Sequence, residues 1–367
     1  MLSIIFALPT IKNQLSTNMK TRNFILSMIA LCCMTMAQAQ KTDVMTATLQ
    51  HGDNVTVFTT QTAFANAYAA AVDGDVITLS PGTFNATNLT KSVNIYGSGF
   101  EENETDGTSI TQINGDLSIG VTDETLSNVH IEGVYFYDYF RNYASSPLTN
   151  VTIKKCSFRR DISIQSEITN VTFCNCVMGN ITGVYNIMAN NLLITNCHFG
   201  IITTFQPGST VLIDHSIVTG RTAHFEGGSI SPTHALNVSQ FTWKNSIFTY
   251  YANSYPQYYQ RAGNGATLYN CIYVQSMGGY YSYNGNNLIL VSGVSDVFSD
   301  ATNADYSAER TFTLKHPDEW IGEDDTEIGI RGGLYPWSRV PATPVVKSLQ
   351  LDVDGTNLNI TFDAETR

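Results

Sequence analysis

Apolar and polar residues alternate with period two in short runs, and the same run keeps returning through the middle of the chain. Residues 150–158 read NVTIKKCSF, 170–178 NVTFCNCVM, 191–199 NLLITNCHF, 210–218 TVLIDHSIV, 240–248 QFTWKNSIF and 265–273 GATLYNCIY. In the first unit Val151 and Ile153 alternate, the phase breaks, and Cys156 and Phe158 resume it. Alternation of this kind is the mark of a strand, and the break in phase marks a tight bend made by two residues. The small residue after the bend forms a column, Cys156, Cys176, Cys197, Ser216, Ser246 and Cys271, at spacings of 20, 21, 19, 30 and 25 residues. No unit has the apolar spacing of a helix. Strands that recur in this way without hairpin turns stack in parallel, coil upon coil, roughly 4.8 Å apart.

The residue before the column is Asn175, Asn196, Asn245 and Asn270 in four units, Lys155 and His215 in two others. Asparagine tolerates the left-handed conformation that a sharp bend requires, and its amide can bond along a stack. The spacing therefore predicts an asparagine ladder at a buried corner. Of the five cysteines beyond residue 39, Cys156, Cys176, Cys197 and Cys271 fall in the column and are expected in the core as free thiols. Cys174 and Cys176 are two apart on a strand, which points both side chains the same way, and no second pair completes a zinc set. Serine in place of a column cysteine is expected to cost about 1–3 kcal/mol through an unpaired buried hydroxyl.

The corner asparagines, the inward small column and the coil length resemble the right-handed parallel β-helix of the pectin-lyase-like superfamily. The run DGDVITLSPGTFNATNLTKSVNIYGSG (73–99) is similar to the first coil of that family. The preceding TAFANAYAAAV (62–72) predicts a capping helix, with Phe64, Ala67, Tyr68 and Ala71 on one face and Thr62 as its cap. Such a helix covers the open end of the solenoid, where unpaired edges invite aggregation. WIGEDDTEIGIRGGLYPW (320–337) resembles the closing segment of secreted β-helix proteins of anaerobic gut bacteria, with Asp325 where a glycine usually stands and Arg331 where a tyrosine stands. The expected fold is thus all-β, a right-handed parallel β-helix of about nine coils over residues 40–340. Beyond Pro344 two alternating strands around Asp354-Gly355 read as a C-terminal hairpin or truncated appendage, 341–367.

The ends and the charge change the setting. Met19-Lys20-Thr21-Arg22, the apolar run Phe24 to Met36 and Ala37-Gln38-Ala39 read as a secretory signal with its true start at Met19 and cleavage near Ala39. The expected location is therefore secreted or on the outer cell surface. No other stretch is apolar and long enough to span a bilayer. Without residues 1–39 the chain keeps 16 Lys and Arg against 31 Asp and Glu, a net charge of −15. That excludes nucleic acid as a natural partner, leaves polysaccharides and cell-envelope glycans open, and is permissive for cations. A monomer is expected.

The family resemblance implies polysaccharide lyases and hydrolases among its members. The hydrolase segments Gly-His-Gly and Arg-Ile-Lys are missing here, as is the calcium-binding acidic set of a pectate-type lyase. The best concentration of reactive groups is DHSIVTGRTAHFEGGSISPTH (214–234), with Asp214, His215, Arg221, His224, Glu226 and His234 in the longest insertion between coils. FRRDISI (158–164) supplies Arg159, Arg160 and Asp161, read as a surface ion pair. The acidic run Glu323-Asp324-Asp325 with Glu327 could hold calcium. Ten tyrosines crowd residues 250–283. Three adjacent pairs stand among them, Tyr250 with Tyr251, Tyr258 with Tyr259, and Tyr280 with Tyr281, and each pair on a strand must send one ring outward. Such rings beside Asn and Gln suit stacking on sugars. The pattern favours a non-catalytic glycan-binding or structural protein, with a lyase or hydrolase acting through 214–234 as the alternative. The acidic balance points to a neutral glycan over a uronate polymer unless calcium bridges them.

Overall fold

Residues 45–206, 208–219, 241–249, 267–274, 284–301, 303–342, 345–354 and 357–365 are described by a computed structural model of the chain. The signal segment expected over 1–39 lies outside them. Each repeat unit bends once between its two strands. The strand before the bend joins one sheet and the strand after it joins another, so the two sheets rise side by side. The first sheet holds ten parallel strands from Val76–Leu79 to Asn284–Asn286. The second runs parallel from Gly82–Asn85 to Ile289–Val291, with Leu117–Ile119, Phe140–Asn142 and Ile162–Ile164 pairing beside it. This is the parallel β-helix expected from the repeat.

Register follows the apolar pattern. Ile131, Ile153, Phe173, Ile194, Ile213, Trp243 and Leu268 pair in succession and are all buried. A slip of one residue would turn this whole column outward, so burial alone pins the stack. Seven successive corners carry a non-glycine residue in the left-handed region: Lys155, Asn175, Asn196, His215, Asn245, Asn270 and Asn287, at φ 43° to 56°. The coil before them turns on Gly133 at φ 74°. About seven turns are therefore regular, against the nine coils the spacing suggests, because the earliest coils close by other turns.

The left-handed corner also resets side-chain phase. Cys176 lies in the core column, whereas Cys174 pairs in register with Lys154 and Thr195 on the outer side. The two thiols do not point the same way, contrary to simple alternation. All five cysteines among the described residues are buried and free. The column cysteines and serines share one bonding scheme. Cys176 Sγ donates to the carbonyl of Cys174 at 3.3 Å, Cys197 Sγ to Thr195 at 3.1 Å, and Ser216 Oγ to Asp214 at 2.8 Å. The backbone N–H of one coil donates to the column atom of the next: Cys176 to Cys197 Sγ at 3.3 Å, Cys197 to Ser216 Oγ at 3.2 Å, Ser216 to Ser246 Oγ at 3.1 Å. A hydroxyl here is fully paired. The expected penalty for Cys→Ser thus has no basis, since the hydroxyl finds its partner in the carbonyl two residues back.

The asparagine ladder exists, but on a different column. Asn128, Asn150, Asn170 and Asn191, at φ 53° to 61°, bond amide to amide at 3.2, 3.1 and 2.8 Å along the stack, and all four are exposed. The corner amides do other work. They hold a strap, residues 320–342, that runs back along the solenoid from late coils to early ones. Asn245 Oδ1 accepts from Glu323 N at 2.9 Å, and Asn196 Nδ2 donates to the carbonyls of Ile330 and Gly332 at 2.9 and 2.7 Å. Asn175 Nδ2 donates to the carbonyl of Tyr335 and its Oδ1 accepts from Ser338 N, at 3.3 and 3.1 Å. Lys155 Nζ donates to the carbonyl of Val340, and Ala342 N donates to Glu132 Oε1 at 3.0 Å. The strap lies close: a Cβ at Gly333 (φ 77°) would sit 2.8 Å from the His215 ring. Its turn uses Asp325 at φ 62°, a residue that tolerates this conformation where a glycine was the family expectation.

A second apolar cluster lies outside the second sheet. Ile217, Ile247 and Ile272 face outward there and are covered by Val297, Phe298, Phe312, Leu314, Ile328 and Ile330. At the other end, β1 (Thr46–His51) and β2 (Asn54–Thr59) form an antiparallel hairpin added to the strand Val76–Leu79. Helix α1 (Ala63–Ala70) follows and buries Ala63, Phe64, Ala67 and Tyr68, the face expected. Thr62 precedes it at φ −89°, ψ 1° and makes no capping bond. Its backbone is not extended as a cap requires, and its hydroxyl instead accepts from Asn66 Nδ2 at 3.3 Å. Val345–Asp354 and Asn357–Glu365 pair antiparallel as the C-terminal hairpin. Among the described residues no helix is long and apolar enough to cross a membrane.

Candidate functional site

Of the 214–234 candidates, Asp214 and His215 are described. Arg221, His224, Glu226 and His234 lie outside the described residues. His215 is a corner residue, 1% exposed, packed beneath Gly333. Its Nε2 bonds Thr326 Oγ1 at 3.1 Å and lies 3.4 Å from Asp324, while Nδ1 is 3.0 Å from Asp214 Oδ1. Asp214 Oδ1 also accepts from Asn245 Nδ2 at 3.1 Å. Both ring nitrogens thus face strap and corner groups, and a buried imidazole without access to solvent cannot exchange protons with a bound polymer. His215 thus anchors the strap.

The calcium candidates belong to the same strap. Asp324 Oδ1 accepts from Thr326 Oγ1 at 2.9 Å; burial would raise its carboxyl, but these bonds and His215 hold it below the usual range. Asp325 occupies the turn, and Glu327 pairs with Arg331 at 3.5 Å. Among the described residues no group of three His, Cys, Asp or Glu side chains is placed to hold a metal.

The sugar-stacking candidates Tyr250, Tyr251, Tyr258, Tyr259, Tyr280 and Tyr281 all lie outside the described residues. Two neighbours from the same cluster are described. Tyr273 is buried beside Phe248, ring centroids 6.0 Å apart, and Tyr269 lies 5.8 Å beneath Lys244 Nζ.

The buried nucleophiles are silent at neutral pH. Burial pushes the thiols of Cys174 and Cys271 up to about 12, and those of Cys156 and Cys197 well above their ordinary value. A thiol so raised stays protonated and unreactive. Burial drives His198 down to about 4, where its Nε2 meets the carbonyl of Ala304 at 2.7 Å. Glu132 is a buried carboxylate with three partners. Burial pushes it up, but His130 at 3.2 Å, Lys155 at 3.5 Å and the backbone of Ala342 outweigh this and hold it low.

One surface constellation remains, on the second-sheet strand Tyr135–Phe136 and on the turns that follow it and its neighbour one coil on. Tyr135, Tyr137 and Tyr139 alternate along GVYFYDYF, so the intervening Phe136 is buried while all three tyrosines reach solvent, Tyr139 with 47% of its surface. The Tyr135 and Tyr137 rings stand edge to face at 6.3 Å. One coil on, the guanidinium of Arg159 lies 4.1 Å from the centroid of Tyr137, and that of Arg160 lies 5.9 Å from Tyr139. The ion pair expected for Arg159, Arg160 and Asp161 is replaced by these ring contacts. The acids around them are engaged: Asp138 Oδ2 accepts from Gly115 N at 2.8 Å, Asp161 Oδ1 from Asn180 N at 3.3 Å, and Asp116 pairs with Arg141. A period-two run of tyrosines followed one repeat later by Arg-Arg is the signal for this surface in the sequence. The denser tyrosines at 250–283 mask it.

No protein-family model matches this chain, and no curated protein matches it either.

Proposed function

We propose that this β-helix is a non-catalytic glycan-binding protein of the cell exterior, related in architecture to the pectin-lyase-like superfamily. The observation that carries the reading is the outward row Tyr135, Tyr137 and Tyr139 with arginines laid over two of its rings. Exposed rings lose little entropy on binding and stack on the apolar faces of sugars, while neighbouring donors address hydroxyls. The tyrosines stand on one coil and the arginines on the next, so a chain bound here would contact two coils. Burial of His215 beneath the strap, with Asp214 bonded beside it, supports binding without turnover. The pairs Tyr250 and Tyr251, Tyr258 and Tyr259, and Tyr280 and Tyr281 are kept as a further candidate contact.

A panel of polysaccharides tests the reading, scored for retention in native affinity gels and for release of reducing or unsaturated ends. Retention without release is expected. Turnover of any polymer that disappears in His224→Ala would replace this reading with the enzymatic one.

A further inference from the structure

Several cations of this chain are held in ion pairs. Lys155, Lys244, Arg141, Arg331 and Arg339 each meet a carboxylate within 4 Å. Arg159 and Arg160 meet none among the described residues, although the chain carries a net charge of −12. Nor does either donate a side-chain hydrogen bond to another described residue; their contacts are with rings. Stacking uses the flat face of a guanidinium and leaves its in-plane N–H donors free. The ring also restrains a long side chain, so less freedom is lost when a ligand arrives. Two adjacent, ring-restrained forks, unpaired among the described residues, are therefore presented beside a tyrosine row that reaches solvent.

We infer that the ligand of this face is a glycan bearing oxyanion groups, sulfate ester or carboxylate, held by Arg159 and Arg160 and stacked on Tyr137 and Tyr139. The inference rests on the glycan-binding reading and reverses the preference for neutral glycans drawn from net charge. The reversal has a simple cause. Distant charges are screened over about 8 Å at physiological ionic strength, whereas groups in contact are not. Asp138 and Asp161, which adjoin these tyrosines and arginines in the sequence, each accept a backbone N–H bond. Guanidinium forks match planar or tetrahedral oxyanions with paired, charge-assisted bonds.

The test uses native affinity electrophoresis of the full chain in gels containing dextran sulfate, polygalacturonate or neutral dextran. The expected result is retention by at least one anionic polymer, weakened at high salt and reduced at least about tenfold in the double variant R159Q/R160Q. The sulfated and uronate arms identify which oxyanion is read, and retention by either supports the inference. Y137A/Y139A should weaken retention as well; both double variants should stay folded, and thermal unfolding of R159Q/R160Q should be unchanged because neither arginine holds an ion pair or hydrogen bond among the described residues. Equal retention of R159Q/R160Q on the anionic polymers overturns the inference. Retention by neutral dextran as strong as by the anionic gels overturns it too, yet leaves glycan binding standing. Failure of every polymer to retard the protein removes both.

Discussion

Asn196→Gly separates the two tasks of a corner asparagine. Asn196 is fully buried at φ 50° and holds three side-chain hydrogen bonds. Two run from its amide to the carbonyls of Ile330 and Gly332 in the strap, at 2.9 and 2.7 Å, and one comes from Thr195 Oγ1 at 2.8 Å. Glycine keeps the left-handed backbone at no steric cost, so the substitution removes the amide alone. Each lost neutral bond is worth about 1 kcal/mol net, and a buried carbonyl left without a donor costs about 1–3 kcal/mol. Partial relaxation of the strap limits the sum, and the expected loss is about 2–4 kcal/mol. Asn196→Ala should lose about 1 kcal/mol more, since alanine resists the left-handed conformation. Asn170→Gly is the contrast: its ladder amides bond at 3.1 and 2.8 Å but are exposed, and water replaces them at a cost of about 0.5 kcal/mol. Denaturant unfolding measures all three, and hydrogen exchange across 320–342 reports whether the strap opens first. If Asn196→Gly is no less stable than Asn170→Gly, or the strap amides stay protected, the corner amides do not hold the strap.

Cys176→Ser should change stability by less than about 1 kcal/mol, because the hydroxyl inherits the bond to the carbonyl of Cys174, as Ser216 and Ser246 already do in their own coils. Cys176→Val cannot donate and should cost about 1–3 kcal/mol by the same unfolding assay. Alkylation in denaturant without reductant should modify all five of Cys156, Cys174, Cys176, Cys197 and Cys271, and two protected thiols would refute the free-cysteine assignment. His198 supplies a pH dependence whose sign follows from its depressed folded value of about 4 against an ordinary value of 6.5. The unfolded chain binds the proton first, so stability is full above pH 6.5 and falls as pH drops toward 4, by up to about 3 kcal/mol. Carboxylates titrate in the same window. The measurement is therefore the difference between wild type and His198→Gln, whose unfolding should slope less steeply from about pH 7 to 4.

The repeat was legible because β-helix geometry is local in the coil and periodic along the chain. Alternation in NVTIKKCSF and its relatives fixes which residues face inward, and the required left-handed bend selects asparagine at the corner. The capping face of α1, the inward thiols and the C-terminal hairpin followed from the same local rules. Which column forms the amide ladder was not local. Asn150, Asn170 and Asn191 stand first in their repeat units, as visible as the corner asparagines. Only the path of residues 320–342 decides that the corner amides are spent on the strap while the exposed column bonds to itself. The phase of Cys174 against Cys176 was likewise lost, because alternation does not reveal how a left-handed residue turns the chain. The hairpin of β1 and β2 depended on a partner strand at Val76–Leu79. For the candidate site, composition describes the average field of the molecule, and its net negative charge pointed away from anions. Contact between Arg159 and Tyr137 depends on residues one coil apart meeting in space, and the stacking of coils alone brings them together.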